Sequence, residues 1–251
     1  MFLADMTWTA LGSLSRNIPV VIPIAAVEQH GHHLPVATDS LLLEEVVRRA
    51  EAQLGEQCLF LPLQWLGNSH HHNDFPGTIS ASPRVYLDLL ADLAESCLRQ
   101  DFRRILFLNG HGGNIIPGKQ VCFELRQRYR ERTDLLFLFS SYWDLANPRE
   151  AGESFAQNQM GHACEWETSM ILRLNPGLVR EEVASLAPVP FDYGFEPAYR
   201  GWTTKDRTQT GHIGSPQQAT AEKGERLFSL FSAGTAAFVE SMTKWDGKSW
   251  L

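Results

Sequence analysis

The chain has 251 residues, 43% of them hydrophobic and 20% charged, with a formal net charge of −7. That length suits one domain with a sizeable core, and Lys and Arg are too few and too scattered to suggest a nucleic-acid surface. No apolar run reaches the ~20 residues that a membrane span needs, and the start, MFLADMTWTA, has no basic stretch ahead of an apolar one; the expectation is a cytoplasmic protein with no membrane partner.

Val20-Val21-Ile22-Pro23-Ile24 is a short apolar run that reads as a buried strand despite its proline. Residues 40–54 follow with Leu41, Leu42, Val46, Ala50 and Leu54 on one side of a helix. Residues 58–63 give a second strand. Ser82-Pro83 pairs a capping residue with proline at the first helical position and opens a helix to about residue 100. Ile105–Leu108 is a third strand, a helix runs roughly over 114–131, and Leu135–Phe139 is a fourth strand. Residues 184–214, rich in Pro, Gly, Tyr and Thr, read as an irregular excursion. Ser215-Pro216 repeats the capping signal and opens a C-terminal helix. Short, continuously apolar strands alternating with helices predict an α/β fold with a mainly parallel sheet covered on both faces. No repeat or linker divides the chain, so 1–251 is expected to be a single domain. Cys58, Cys97, Cys122 and Cys164 show no CxxC spacing, and three of them read as small core residues.

In such a sheet, ligands bind beyond the carboxyl ends of the strands. Glu28-Gln29-His30-Gly31-His32-His33 follows the first strand, with Thr38-Asp39 at the next helix start. Gly67-Asn68-Ser69-His70-His71-His72 and Phe75-Pro76-Gly77-Thr78 follow the second. Asn109-Gly110-His111-Gly112-Gly113-Asn114 follows the third and Tyr142-Trp143-Asp144 the fourth. Seven of the nine histidines lie at these strand ends. Imidazole with carboxylate suits zinc, manganese or iron. Glu28 and His30, two apart, point the same way in an extended segment; Asp39 can return to them from the helix start, and His111 arrives on a neighbouring strand end. His32, His33, His70 and His71 read as solvated loop residues. Gly112-Gly113-Asn114 lacks any phosphate-loop pattern. Further on, His162-Ala163-Cys164-Glu165-Trp166-Glu167-Thr168 leads into an apolar helical run, where either Glu165 or Glu167 can reach a metal or back His162.

Taken together and in this order, these segments resemble the creatininase family of amidohydrolases over about residues 18–175. The resemblance implies a three-layer α/β/α sandwich, a homohexamer, and two divalent metal ions, zinc first, with manganese or iron as alternatives. It implies that Glu28 and His111 hold one metal and His30 the other, that Asp39 bridges them, and that His162 is the acid/base histidine. Two departures stand out. Creatininase has a metal-binding glutamate where this chain has Gly113, which makes Glu167 the substitute ligand. Creatininase also has tryptophans ahead of the His-Ala motif, where this chain has none closer than Trp143. The expected activity is hydrolysis of a non-peptide C–N bond in a small amide, with His72, Thr78 and Trp143 as candidate substrate contacts and Glu165 as a candidate partner of His162. A peptidase acting in peptide-derived cofactor maturation and a non-catalytic metal-containing binding protein are the alternatives.

Overall fold

A computed structural model describes residues 1–149, 154–192 and 194–250. Four strands form one sheet in the order β2-β1-β3-β4, every neighbouring pair parallel. β1 is Pro19–Ile24, β2 Leu59–Phe60, β3 Arg104–Asn109 and β4 Leu136–Ser141. A short helix, α1 (Trp8–Ser13), precedes them, and α2 (Thr38–Leu54), α3 (Pro83–Leu98) and α4 (Ile115–Arg128) make the crossovers. α5 (Glu165–Leu174), the single-turn α6 (Thr204–Arg207) and α7 (Ala221–Thr243) complete the chain.

Side chains alternate across each strand, and the core divides accordingly. Val20, Ile22 and Ile24 of β1 join Ile105 and Phe107 of β3 under α3 and α4, in contact with Tyr86, Leu90, Val121 and Leu125. Val21 and Leu106 face the other way, into α2, α5 and α7, where Leu42, Val46, Met170, Phe228 and Phe231 pack. The fold is therefore the three-layer α/β/α arrangement with a parallel sheet. Cys58, Cys97 and Cys164 lie buried within it and all four cysteines are free.

The expected elements are present with shifted ends. The second strand is cut to two residues because Pro62 cannot donate to the ladder; the pairing continues irregularly through Leu61 N–H to Val21 O and Gln64 N–H to Pro23 O, both 2.9 Å. Ser215-Pro216 opens only a 3-10 turn, and α7 starts later, capped by the Thr220 hydroxyl. Sequence reasoning did not anticipate α1 or α6. Among the described residues, no helix is long and apolar enough to cross a membrane.

α5 and α7 cross at Gly224, where a Cβ would stand 2.0 Å from the Ser169 carbonyl oxygen. Gly224→Ala is expected to force these helices apart and cost about 1–3 kcal/mol or more. Thermal or denaturant unfolding measures this, and an unchanged midpoint would show that the crossing relaxes freely.

Candidate metal centre

The chain leaves β1 toward α2 on one face of the sheet and leaves β3 toward α4 on the other. The crevice between the carboxyl ends of these adjacent strands is the topological switch point, where ligands bind in open α/β sheets. Glu28 and His30 follow β1, and His111 follows β3. Asp39 stands in the first turn of α2, where the helix dipole favours a negative charge. All four are buried, at 0%, 1%, 2% and 4% exposure for Glu28, His30, His111 and Asp39.

The side chains converge on one point. His30 Nε2 lies 3.1 Å from Asp39 Oδ1, and His111 Nδ1 lies 2.9 Å from Asp39 Oδ2 and 3.2 Å from Glu28 Oε1. Glu167 Oε1 approaches His30 Nε2 at 3.7 Å. Glu28 Oε1 is also met by His72 Nε2 at 3.3 Å and His162 Nδ1 at 3.4 Å. Close as they are, both Glu28 oxygens, His30 Nε2 and Asp39 Oδ2 are buried without a hydrogen bond. A buried polar atom left so costs about 1–3 kcal/mol; a divalent cation among these atoms supplies the missing partner. Among the described residues, Glu28–His30–Asp39, Glu28–His71–His111 and Glu28–His72–His162 each bring three ligand atoms within 4.8 Å of one another. The donor set therefore fits a divalent metal.

Outer contacts set the ring nitrogens. His30 Nδ1 lies 3.1 Å from the Glu28 carbonyl, and His111 Nε2 lies 3.2 Å from the Asn68 carbonyl. Donation to a carbonyl points the opposite nitrogen of each ring at the carboxylates, where its lone pair would become available once a metal displaces the proton, the usual support for a metal-binding histidine. Asn109 holds His111 at both backbone polar atoms: its Oδ1 accepts from His111 N–H at 3.0 Å, and its Nδ2 donates to His111 O at 2.8 Å. Asn114 ties the strand ends together, donating to Ala25 O at 3.0 Å and accepting from Asn68 N–H at 2.9 Å. The glycine-rich turn thus serves packing. At Gly113 a Cβ would meet Asn68 O at 2.2 Å and His111 Nε2 at 2.5 Å, so this backbone has no room for a glutamate there.

Charge follows from this crowding. Burial pushes the Glu28 carboxyl up, partly offset by His111. Burial raises Asp39 too, but His30 and His111 outweigh it and hold the group below the usual carboxylate range. Burial lowers His111, yet Glu28 and Asp39 lift it to about 10. His30 rises well above its ordinary value, as Asp39 and Glu167 outweigh its burial. His72 and His162 go the other way: burial drives both down, reinforced by each one's histidine neighbours.

The other predicted residues divide. Glu165 and Glu167 occupy the first and third positions of α5 and diverge. Glu167 Oε1 turns toward His30, while its Oε2 accepts from the Cys164 amide at 3.2 Å. Glu165 stays outside the cluster: its carboxylate pairs with Lys223 and accepts from the amides of Ala156 at 2.7 Å and Gln157 at 3.2 Å. The Thr78 hydroxyl is spent on the backbone, accepting from Gln29 N–H and donating to His72 O, each at 3.2 Å. Trp143 packs edge-on against Tyr142, 5.1 Å between ring centroids, beside the α7 core. His162 precedes Ala163, whose φ of 47° lies in the left-handed region that non-glycine residues rarely adopt.

Of the four histidines expected in solvent, only His32 and His70 are exposed. His33 is buried, its Nε2 2.9 Å from the Thr168 hydroxyl. His71 stacks on His111 at 5.7 Å and is covered edge-on by Trp202 at 5.1 Å. Gln29 and Thr204 also belong to the site and were not singled out. The excursion over 184–214 supplies Trp202, Thr204 and Gly211, and so forms the wall over the histidines.

Fold and site together are those of a three-layer α/β protein whose buried His, Glu and Asp cluster fits a divalent metal. The chain belongs to the creatininase family: the family pattern, described as creatinine amidohydrolase, matches residues 4–239. The match reaches well beyond the 18–175 stretch legible in the motifs and takes in most of the C-terminal third. A mycofactocin precursor peptide peptidase of Mycobacterium tuberculosis is 33% identical over 239 residues, spanning 90% of this chain and 85% of the relative. Creatinine amidohydrolase of Pseudomonas putida is 29% identical over 258 residues, spanning 94% and 95%. A solved mutant creatininase of Zn-Zn type superposes with a TM-score of 0.78 at 26% identity, covering 96% of this chain and 97% of its own.

Proposed function

We propose that the chain is a single-domain, dinuclear metal-dependent amidohydrolase that cleaves a C–N bond in a small cyclic amide or formamide. The observation that carries this reading is the convergence of orphaned, buried Glu28, His30 and Asp39 atoms beside His111. Glu28 and His111 would hold one metal and His30 and Glu167 the other, with Asp39 as the ligand shared between them. Zinc is the first choice, manganese or iron the alternatives. Glu167 takes the place that Gly113 leaves unfilled.

When bound, the metals supply a water acidified toward neutrality and polarise the scissile carbonyl. His162 Nδ1 faces Glu28 from the wall of the site; burial keeps the imidazole neutral, leaving this nitrogen open to a proton in transit, and the same burial favours passing that proton on to the leaving nitrogen. Glu165 acts at a distance, locking residues 156–157 and Lys223 against the start of α5. Thr78 positions Gln29 and His72 rather than substrate. Trp143, half-buried against the α7 core, is not part of this binding site.

A peptidase of the same family is the second reading, favoured by the 33% identity to the mycobacterial enzyme. A screen of the zinc- and manganese-loaded protein against creatinine, formamides, cyclic amides and short peptides separates the two. Turnover of small amides supports the proposal, peptide cleavage alone supports the second reading, and two empty metal sites with no turnover would leave a binding protein. A homohexamer in the cytoplasm is the expected setting; light scattering checks the assembly.

Metal uptake should release protons. Metal-free His111 carries one up to about pH 10, and the ligand form is neutral, so affinity rises with pH until about 10. The sign for stability is the reverse. A raised histidine stabilises the metal-free protein fully below pH 6.5, and that contribution is lost as pH climbs through 10. Calorimetric titration in buffers of different ionisation heat measures the release; no proton release at pH 8 would contradict this charge assignment.

A further inference from the structure

Gln29 sits between two histidines that face the same carboxylate. Its Nε2 lies 2.8 Å from His72 Nδ1, 2.8 Å from the Gly211 carbonyl oxygen and 2.9 Å from His162 Nε2. Its Oε1 accepts from Gly31 N–H at 2.9 Å, which fixes the orientation of the amide. Its backbone carbonyl oxygen lies 2.8 Å from His162 Nε2.

The carbonyl contacts select one assignment of protons, in which the 2.9 Å approach of Gln29 Nε2 to His162 Nε2 is a contact between two donors and not a hydrogen bond. A carbonyl oxygen only accepts, so His162 Nε2 must carry a proton; otherwise two lone pairs would face each other at 2.8 Å. The Gln29 amide then has two hydrogens and two acceptors, Gly211 O and His72 Nδ1. The Thr204 hydroxyl, 2.8 Å from the same His72 Nδ1, reinforces it as an acceptor. Both imidazoles are therefore Nε2–H tautomers, yet they are mounted in opposite senses. His162 turns its bare Nδ1 to Glu28, and His72 turns its Nε2–H to Glu28. The two rings lie 4.2 Å apart between centroids.

We propose that Gln29 is a positioning residue that sets a complementary histidine pair, in which His162 presents a base and His72 a neutral N–H donor to the scissile carbonyl oxygen. This deepens the amidohydrolase reading and rests on it for the identity of the reaction. As the water oxygen bonds the carbonyl carbon, the water proton passes to His162 Nδ1. From there it goes to the nitrogen as the C–N bond breaks. His72 keeps its proton throughout and stabilises the oxygen on which charge develops.

The test reads tautomers directly, by long-range proton–nitrogen NMR on the zinc-loaded full chain labelled at histidine. Nε2–H forms are expected for both His72 and His162. In Gln29→Glu the new carboxylate accepts instead of donating, so His72 moves to the Nδ1–H form while His162 stays as it was. Zinc content is unchanged, and kcat falls on the order of 10²–10³-fold, as for loss of one oxyanion donor. Gln29→Met, which lacks the donor without adding charge, leaves His72 as a mixture of tautomers and serves if the glutamate variant does not fold. His72→Gln, which restores an N–H, keeps more kcat than His72→Ala. An Nδ1–H His72 in the unaltered protein, or a His72 tautomer indifferent to Gln29, overturns the proposal. Failure to bind zinc overturns the metal reading alone, because the tautomers are equally readable without the metal.

Discussion

Asp39→Asn is expected to empty the centre of tightly held metal and to abolish turnover. Asp39 meets His30 through one oxygen and His111 through the other, at 3.1 and 2.9 Å, so it is the group that touches both halves of the cluster. An asparagine keeps the shape, but it offers one neutral acceptor oxygen in place of two charged ones. Altering a residue that only orients a ligand costs roughly 10–100-fold in metal affinity, and a shared ligand should cost more. Several kcal/mol of lost charge stabilisation corresponds to about 10³-fold or more in kcat/KM. Metal content by elemental analysis and turnover by the amide screen report the two effects separately. Two metals retained in the variant would show that Asp39 does not bridge. The variant should also shed its histidine protons at lower pH, since Asp39 lifts both His30 and His111.

The parts of this site that lay open in the sequence are those carried by local pattern. Short apolar strands placed the sheet, and the residues just past them placed Glu28, His30 and His111 at one edge. What stayed hidden arrives from far along the chain. Gly211 O, which anchors the Gln29 amide, is 182 residues away from it, and Thr204 is 132 residues from His72. An irregular stretch of Pro, Gly and Thr carries no periodicity from which such a return could be read. The period-2 argument that put Glu28 and His30 on one side put Gln29 on the other, and that other side meets this returning stretch. His33 and His71 looked solvated for the same reason. Glu165 and Glu167 could not be separated without knowing that α5 begins at residue 165, which sends the first toward Lys223 and the third toward His30. Gly113 was visible as a departure from creatininase, but its cause, the Asn68 carbonyl at its Cα, is a contact across two loops.

His162→Ala should separate proton transfer from metal binding. His162 Nδ1 stands 3.4 Å from Glu28 Oε1, close enough to serve the reacting atoms, while its other nitrogen is held by the Gln29 carbonyl at 2.8 Å. Its backbone is fixed independently, with His162 N–H bonded to Ile213 O at 3.0 Å and the return bond at 2.7 Å, so truncating the ring leaves the segment in place. The expected result is a kcat lowered by about 10²–10⁴-fold, the usual worth of a positioned acid/base, with both metals still bound. The loss should be smaller for substrates whose leaving nitrogen is already a weak base, because such a group needs less help from a proton. Unchanged turnover would remove the acid/base role. Loss of one metal would give His162 Nδ1 a different one, as a ligand beside Glu28, and would leave the base to be sought elsewhere among the buried histidines. The metal analysis therefore has to accompany the kinetics, since only the combination of retained metal and lost kcat identifies a group that moves a proton.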